Sequence, residues 1–134
     1  MKITIEGQPI TKKNSQQIVY AGRPMIVASK QYKAYREQCM LTIPAECKTG
    51  IDYPVNLKCV YYMATDRRVD LCNLLEATCD ILVDAGVLKD DNRKIVTSHD
   101  GSRVAIDRKN PRVEIEITEV VGYDDEPVNG VQPF

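Results

Sequence analysis

No apolar run in this sequence approaches the roughly 20 residues that a helix needs to cross a bilayer, so no membrane-spanning helix is expected. The opening residues, Met1-Lys2-Ile3-Thr4-Ile5-Glu6, alternate like a strand and lack the apolar centre of a signal peptide. The expected compartment is therefore the cytoplasm. Cys-x-x-Cys is absent, and the single histidine, His99, stands apart from the five cysteines, Cys39, Cys47, Cys59, Cys72 and Cys79. That leaves no ligand set for a structural zinc site, and the thiols read as reduced, partly buried small hydrophobes. Internal repeats are missing as well. Neither sign of charge is in excess: 18 Lys and Arg against 19 Asp and Glu give a net charge of −1. This excludes an indiscriminate DNA-coating protein. It does not exclude one whose acidic metal ligands cancel its basic phosphate contacts in the sum.

What remains is an ordinary aqueous domain. With 134 residues, 43% hydrophobic and 28% charged, the chain is long enough to bury a core without staples. Lys2 to Ile10 reads as a strand ending near Gly7-Gln8-Pro9. Thr11 to Gln17 is a polar, basic loop, either a solvated connection or an arm that contacts phosphate through Lys12, Lys13 and Asn14. Ile18–Tyr20 and Met25–Val27 flank a turn at Ala21-Gly22-Arg23-Pro24 and predict a hairpin. Ser29 is a good N-cap for a helix from Lys30 to about Leu41 with Tyr32, Tyr35, Cys39 and Met40 inward. Pro44 ends it.

Val55 to Met63 alternates cleanly and is the clearest strand, with Val55, Leu57, Cys59, Tyr61 and Met63 inward. Lys94–Ser98 and Arg103–Asp107 read as strands joined at Asp100-Gly101, a hairpin signal. Arg112–Thr118 is a last strand with one solvated face. From Gly122 to Phe134 the composition is that of a disordered acidic tail. The domain is expected to span 1–121 and the tail 122–134. The predicted fold class is α+β: a mixed sheet of about five or six strands with the Lys30 and Leu71 helices packed on it.

The chemistry concentrates between Asp66 and Asn92. Asp66-Arg67-Arg68-Val69 is an arginine-bearing loop that enters a helix at Asp70. At roughly 100° per residue, Leu71, Leu74, Leu75, Thr78, Leu82 and Ala85 form its core stripe. Asn73, Glu76, Asp80 and Asp84 gather on nearly the opposite side. A merely solvated face usually mixes signs to gain pairs one turn apart, and here no Lys or Arg lies between Asp70 and Asp84. Uncompensated acids predict that something cationic sits there. Gly86 is placed to cap the helix, and Asp90-Asp91-Asn92 follows within a few residues. If the chain folds back after Gly86, acids from both helix ends meet. Such carboxylates suit a hard divalent cation, and neighbouring arginines suit phosphate.

This run resembles the RusA family of Holliday-junction resolvases, small homodimeric bacterial and phage endonucleases that cut four-way DNA junctions with Mg²⁺. Arg67-Arg68, Asp70, Asn73-Leu74, Asp80, Gly86 and Asp90-Asp91 fall on the family pattern without a gap. A weaker echo is the Lys12-Lys13-Asn14-Ser15 loop and the helix start from Ser29 to Tyr35, and the likeness spans roughly residues 3 to 120. Two positions depart from the pattern. The family's second aspartate falls on Cys72, a soft ligand that suits Mg²⁺ poorly, and its helix lysine falls on Glu76. Since 72 and 76 are one helical turn apart, the missing carboxylate is expected to have moved onto Glu76.

The resemblance implies an Mg²⁺-dependent nuclease, with Mn²⁺ able to substitute, acting in DNA recombination and repair. Asp70, Asp91 and Glu76 are the expected catalytic ligands, with Asp90 or Asp80 as a further ligand or support. Bland roles stand beside these: Asp70 as an N-cap, Asp90 and Asp91 as a solvated turn, and Asp80 as the partner of a basic residue. DNA contacts are expected from Lys12, Lys13, Asn14, Arg67, Arg68, Asn73 and Arg93. The missing positive charge at position 76 is expected from Arg67, Arg68 or Arg93. Branched DNA is the implied partner and a homodimer the implied form. The alternative is a catalytically degraded junction-binding protein on the same scaffold. His99 beside Asp100 is read as structural.

Overall fold

The computed structural model describes residues 1–12, 16–20, 22–28 and 30–122, with the backbone alone in Gln16–Tyr20 and Pro24–Ala28. Alternation builds the main sheet. Strand β4 (Val55–Met63) buries Val55, Leu57, Cys59, Tyr61 and Met63 and turns Asn56, Lys58 and Tyr62 to the other side. Strand β7 (Arg112–Glu119) buries Val113, Ile115 and Ile117, and β1 (Lys2–Glu6) buries Ile3 and Ile5. β1 pairs antiparallel with β7, and β7 antiparallel with β4. β1 is shorter than its composition suggests, because Gly7 at φ 106° turns the chain away.

A separate two-stranded antiparallel ribbon is formed by β2 (Gln16–Tyr20) and β3 (Pro24–Ala28), the hairpin that the turn at Ala21-Gly22-Arg23-Pro24 predicts. Lys13, Asn14, the Ser29 cap and the tail from 123 onward lie outside the described residues. Helix α1 (Lys30–Thr42) buries Tyr32, Tyr35 and Cys39. Helix α2 (Leu71–Asp84) buries Leu74, Ala77, Thr78, Cys79, Ile81 and Leu82. The buried arc of α2 is thus displaced from the expected stripe: Leu71, Leu75 and Ala85 are half-buried, while Ala77 and Ile81 are covered.

The hairpin expected at Asp100-Gly101 is not there. β5 (Val96–Ser98) and β6 (Arg103–Ile106) both run parallel to β4, one beyond the other along the same edge. The turn between them is caught by β4 instead of reversing the chain. Asn56 accepts from the Asp100 N–H at 2.8 Å and donates to the Asp100 carbonyl at 3.1 Å. The Ser102 hydroxyl accepts from the Cys59 N–H at 3.0 Å. His99 Nδ1 donates to the Leu57 carbonyl at 2.9 Å, which gives the one histidine a structural task. Gly101, at φ 88°, serves a bulge on an edge.

The result is a mixed sheet of five strands with α1 and α2 on one face, an α+β architecture as the sequence predicts. Among the described residues no helix is long and apolar enough to cross a membrane.

Candidate active site

α2 is seated by a buried hydroxyl pair. Thr78 Oγ1 donates to the Leu74 carbonyl at 2.9 Å, so the Tyr61 hydroxyl must be the donor in the 2.7 Å bond between Tyr61 and Thr78. Beyond the helix, Gly86 at φ 82° makes a Schellman stop. The Val87 N–H bonds the Leu82 carbonyl at 2.9 Å and the Gly86 N–H bonds the Val83 carbonyl at 3.0 Å. Val87 and Leu88 then plunge into the core at 0% and 1% exposure. The Lys89 N–H is stitched to the Ile51 carbonyl at 2.9 Å. That return delivers Asp90-Asp91-Asn92 to the surface beside α2.

Asp90 accepts from the Asp91 N–H at 2.7 Å and from the Asn92 amide at 3.1 Å, and these bonds hold its carboxyl below the usual range. It is a turn-former, and Asp91 beside it is likewise exposed. Asp91 acts on α2: burial first, and then the charges of Asp91, Glu76 and Asp84, push the Asp80 carboxyl up, against a lowering by Lys12. Glu76, Asp80, Asp84 and Asp91 therefore share one electrostatic neighbourhood.

Two of these acids have cations supplied from elsewhere in the chain. Lys12 Nζ lies 3.9 Å from Asp80, and Arg36 of α1 bonds Asp84 at 2.8 Å through Nη2 and 3.3 Å through Nε. The charge that the α2 face needs thus comes partly from the N-terminal loop and α1. Of the bland roles, the pairing of Asp80 with a basic residue is realised, by a loop lysine.

Asp70 stands at the other end. It occupies the N-cap position, makes no side-chain cap bond, and receives a long 3.4 Å contact from the Asn73 amide. Its carboxylate is exposed and borders a groove of about 630 Å³ with Gln8, Thr11, Ala64, Arg67 and Arg68. Gln8 fixes that wall, since its side-chain oxygen accepts from the Ala64 N–H at 2.8 Å at the foot of the arginine loop. Nothing in the sequence around Gln8 signals this task. Arg67 and Arg68 are exposed on the groove's rim. Asn73 is half-buried and Arg93 exposed near Asp91 in sequence. Cys72 is exposed on the first turn of α2, and Glu76 is exposed one turn on.

The site is thus in two parts, a basic groove ending at Asp70 and an acidic neighbourhood of Glu76, Asp80 and Asp91; the expected meeting of acids from both helix ends is seen only as the approach of Asp91 to the Asp80 side of α2. Among the described residues no three His, Cys, Asp or Glu side chains are gathered closely enough to hold a metal ion by themselves. Mg²⁺ does not ask for that: it usually takes one or two carboxylates, waters and substrate phosphate oxygens. The carboxylates of Asp70, Glu76, Asp80 and Asp91 are oxygen donors and fit a hard cation in kind.

A family model described as endodeoxyribonuclease RusA matches residues 6–118 of the chain. No curated protein matches it.

Proposed function

The chain belongs to the RusA family of endodeoxyribonucleases, and from that membership we propose that it resolves four-way DNA junctions by Mg²⁺-dependent symmetric nicking as a homodimer. The supporting observation is the groove in which Arg67, Arg68 and Asp70 meet, with Glu76, Asp80 and Asp91 sharing a second acidic neighbourhood on α2.

Arg67 and Arg68 bind the phosphate backbone bidentately and orient it in the groove. Lys12, held beside Asp80 at 3.9 Å, brings positive charge to the face where Glu76 brings none. Asp70 and Asp91 are the ligands that would hold the metal, with Glu76 taking over for Cys72 and Asp80 or Asp90 in support. Bound there, Mg²⁺ or Mn²⁺ supplies the Lewis acidity that activates water and steadies the leaving oxygen. Junction recognition runs through backbone phosphates, so it follows shape more than sequence.

The test is a synthetic four-way junction with Mg²⁺ or Mn²⁺. Asp70→Asn, Asp91→Asn and Glu76→Gln are each expected to lower nicking by about 100-fold or more while junction binding persists. Unchanged nicking by Glu76→Gln removes the transferred carboxylate from the reading. Cys72 on the first turn of α2 favours one second reading, a junction-binding protein that has lost its chemistry. Binding by the wild-type chain without nicks under either metal would establish that instead.

A further inference from the structure

β6 is an edge. Among the described residues it pairs with β4 alone. The Asp107 N–H bonds the Met63 carbonyl at 2.9 Å. In a ladder whose backbone groups alternate from side to side, Arg103, Ala105 and Asp107 therefore turn their peptide groups toward β4. Those of Val104 and Ile106 turn outward. Natural edges are usually blunted by lysine, proline or a bulge within the strand. This one is short and starts on an exposed Arg103, and within it Val104 is 38% and Ile106 46% exposed. Their register partners are Tyr61 and Met63, so both side chains lie on the helix-bearing face of the sheet, at its uncovered margin.

We propose that β6 pairs antiparallel with β6 of a second copy of this chain, about a twofold axis through Ala105. This deepens the homodimer in the function proposed above and rests on that part of it. A closed twofold contact must be self-complementary, and the residues here are. Outward-turned residues must bond outward-turned residues, so Val104 of one copy bonds Ile106 of the other, and the reverse. Arg103 then stands opposite Asp107 of the second copy, twice over, and there joins the bond that Asp107 already accepts from Arg112 at 3.0 Å. Centring the axis on Val104 or Ile106 also matches outward groups. Either choice leaves part of β6 unpaired and takes Arg103 away from Asp107.

Paired residues of an antiparallel ladder point to the same side of a sheet. The helices and the Arg67–Asp70 grooves of both copies therefore lie on one side of a continuous sheet. Met63, beside Ile106, also lines the groove, so each groove adjoins the junction of the two copies.

Sedimentation of the full chain tests this. The wild type is expected to be a dimer, and Ile106→Asp to weaken self-association by about tenfold or more with the thermal midpoint of the monomer unchanged. In a Cys72→Ser background, Ala105→Cys is expected to form an intermolecular disulfide with oxidised glutathione. Residues facing each other at a non-hydrogen-bonded position sit about 4.5 Å apart, within disulfide reach. Val104→Cys, whose own copy is not opposite, is expected to stay reduced. A chain monomeric at every concentration overturns both the inference and the homodimer. A dimer indifferent to Ile106→Asp, with no cross-link at Ala105→Cys, overturns the inference alone. A β6-linked dimer that cuts no junction overturns only the proposed function.

Discussion

Tyr61 and Thr78 show how unevenly the two halves of one buried hydrogen bond carry stability. Removing the tyrosine hydroxyl leaves Thr78 still donating to the Leu74 carbonyl. Removing the threonine hydroxyl leaves the Tyr61 hydroxyl, on a residue only 1% exposed, with the weakly bonding Cys59 thiol as its remaining side-chain partner. Tyr61→Phe is therefore expected to cost about 1 kcal/mol and Thr78→Val about 2 kcal/mol. Urea unfolding of both variants gives the order, and the reverse order would mean that the donor has been misassigned. The thiols make a second prediction at this scale. Burial pushes Cys39 up to about 11 and Cys59 and Cys79 up to about 12, and Cys47 is buried at 7% exposure. Only Cys72 is exposed. A thiol reagent added to the native chain should titrate one group quickly and the remaining four only on unfolding.

At the scale of elements, strands with one wet face and one dry face declare themselves in the sequence. β4 and β7 were legible residue by residue, and the helix stop at Gly86 was legible from its position. What could not be read is anything decided by a distant partner. Asp100-Gly101 has the letters of a hairpin, and only the side chain of Asn56, far back in the chain, turns it into a bulge. The acids of α2 looked uncompensated because their cations, Lys12 and Arg36, belong to other elements. The buried arc of α2 differs from the expected stripe because a sequence shows one helix and not what flanks it. Burial at Asp80 and pairing at Asp107 also set the acid-side behaviour. Asp80 has a raised carboxyl, so the folded state holds its proton more tightly than the unfolded state does. Its contribution is favourable below the ordinary value of 3.8 and is lost as pH rises through the raised value. Asp107 is lowered, first by its bond to Arg112, so its contribution is present above 3.8 and disappears as pH falls through the lowered value. At neutral pH Asp107→Asn should destabilise and Asp80→Asn should not. In strong acid the deficit of Asp107→Asn should vanish, which urea midpoints at the two pH values would check.

Over the whole molecule, the net charge of −1 conceals a separation by face. On the helix side Arg67 and Arg68 line the groove, while Lys12 is paired with Asp80 among the acids of α2. On the helix-free face of the sheet, Lys2 and Lys58 are interleaved with Glu114 and Glu116, and Arg112 is spent on Asp107, Glu114 and the ring of Tyr62 at 3.9 Å. A polyanion is therefore drawn to the Arg67–Arg68 groove and not to the acids of α2, and the far face offers it little. Binding that releases counterions falls with salt in proportion to the phosphates neutralised, a slope of about −0.9 for each. Arg67→Gln and Arg68→Gln should each weaken junction binding and flatten the logarithmic salt dependence by about one unit. Lys2→Gln and Lys58→Gln remove the same charge from the opposite face and should leave both affinity and slope as they were. Equal losses from all four would mean that the junction is held by diffuse attraction to the whole surface. Losses confined to Lys2 and Lys58 would put the DNA on the wrong side of the sheet, away from Asp70 and Asp91, and the proposed chemistry would have no substrate within reach.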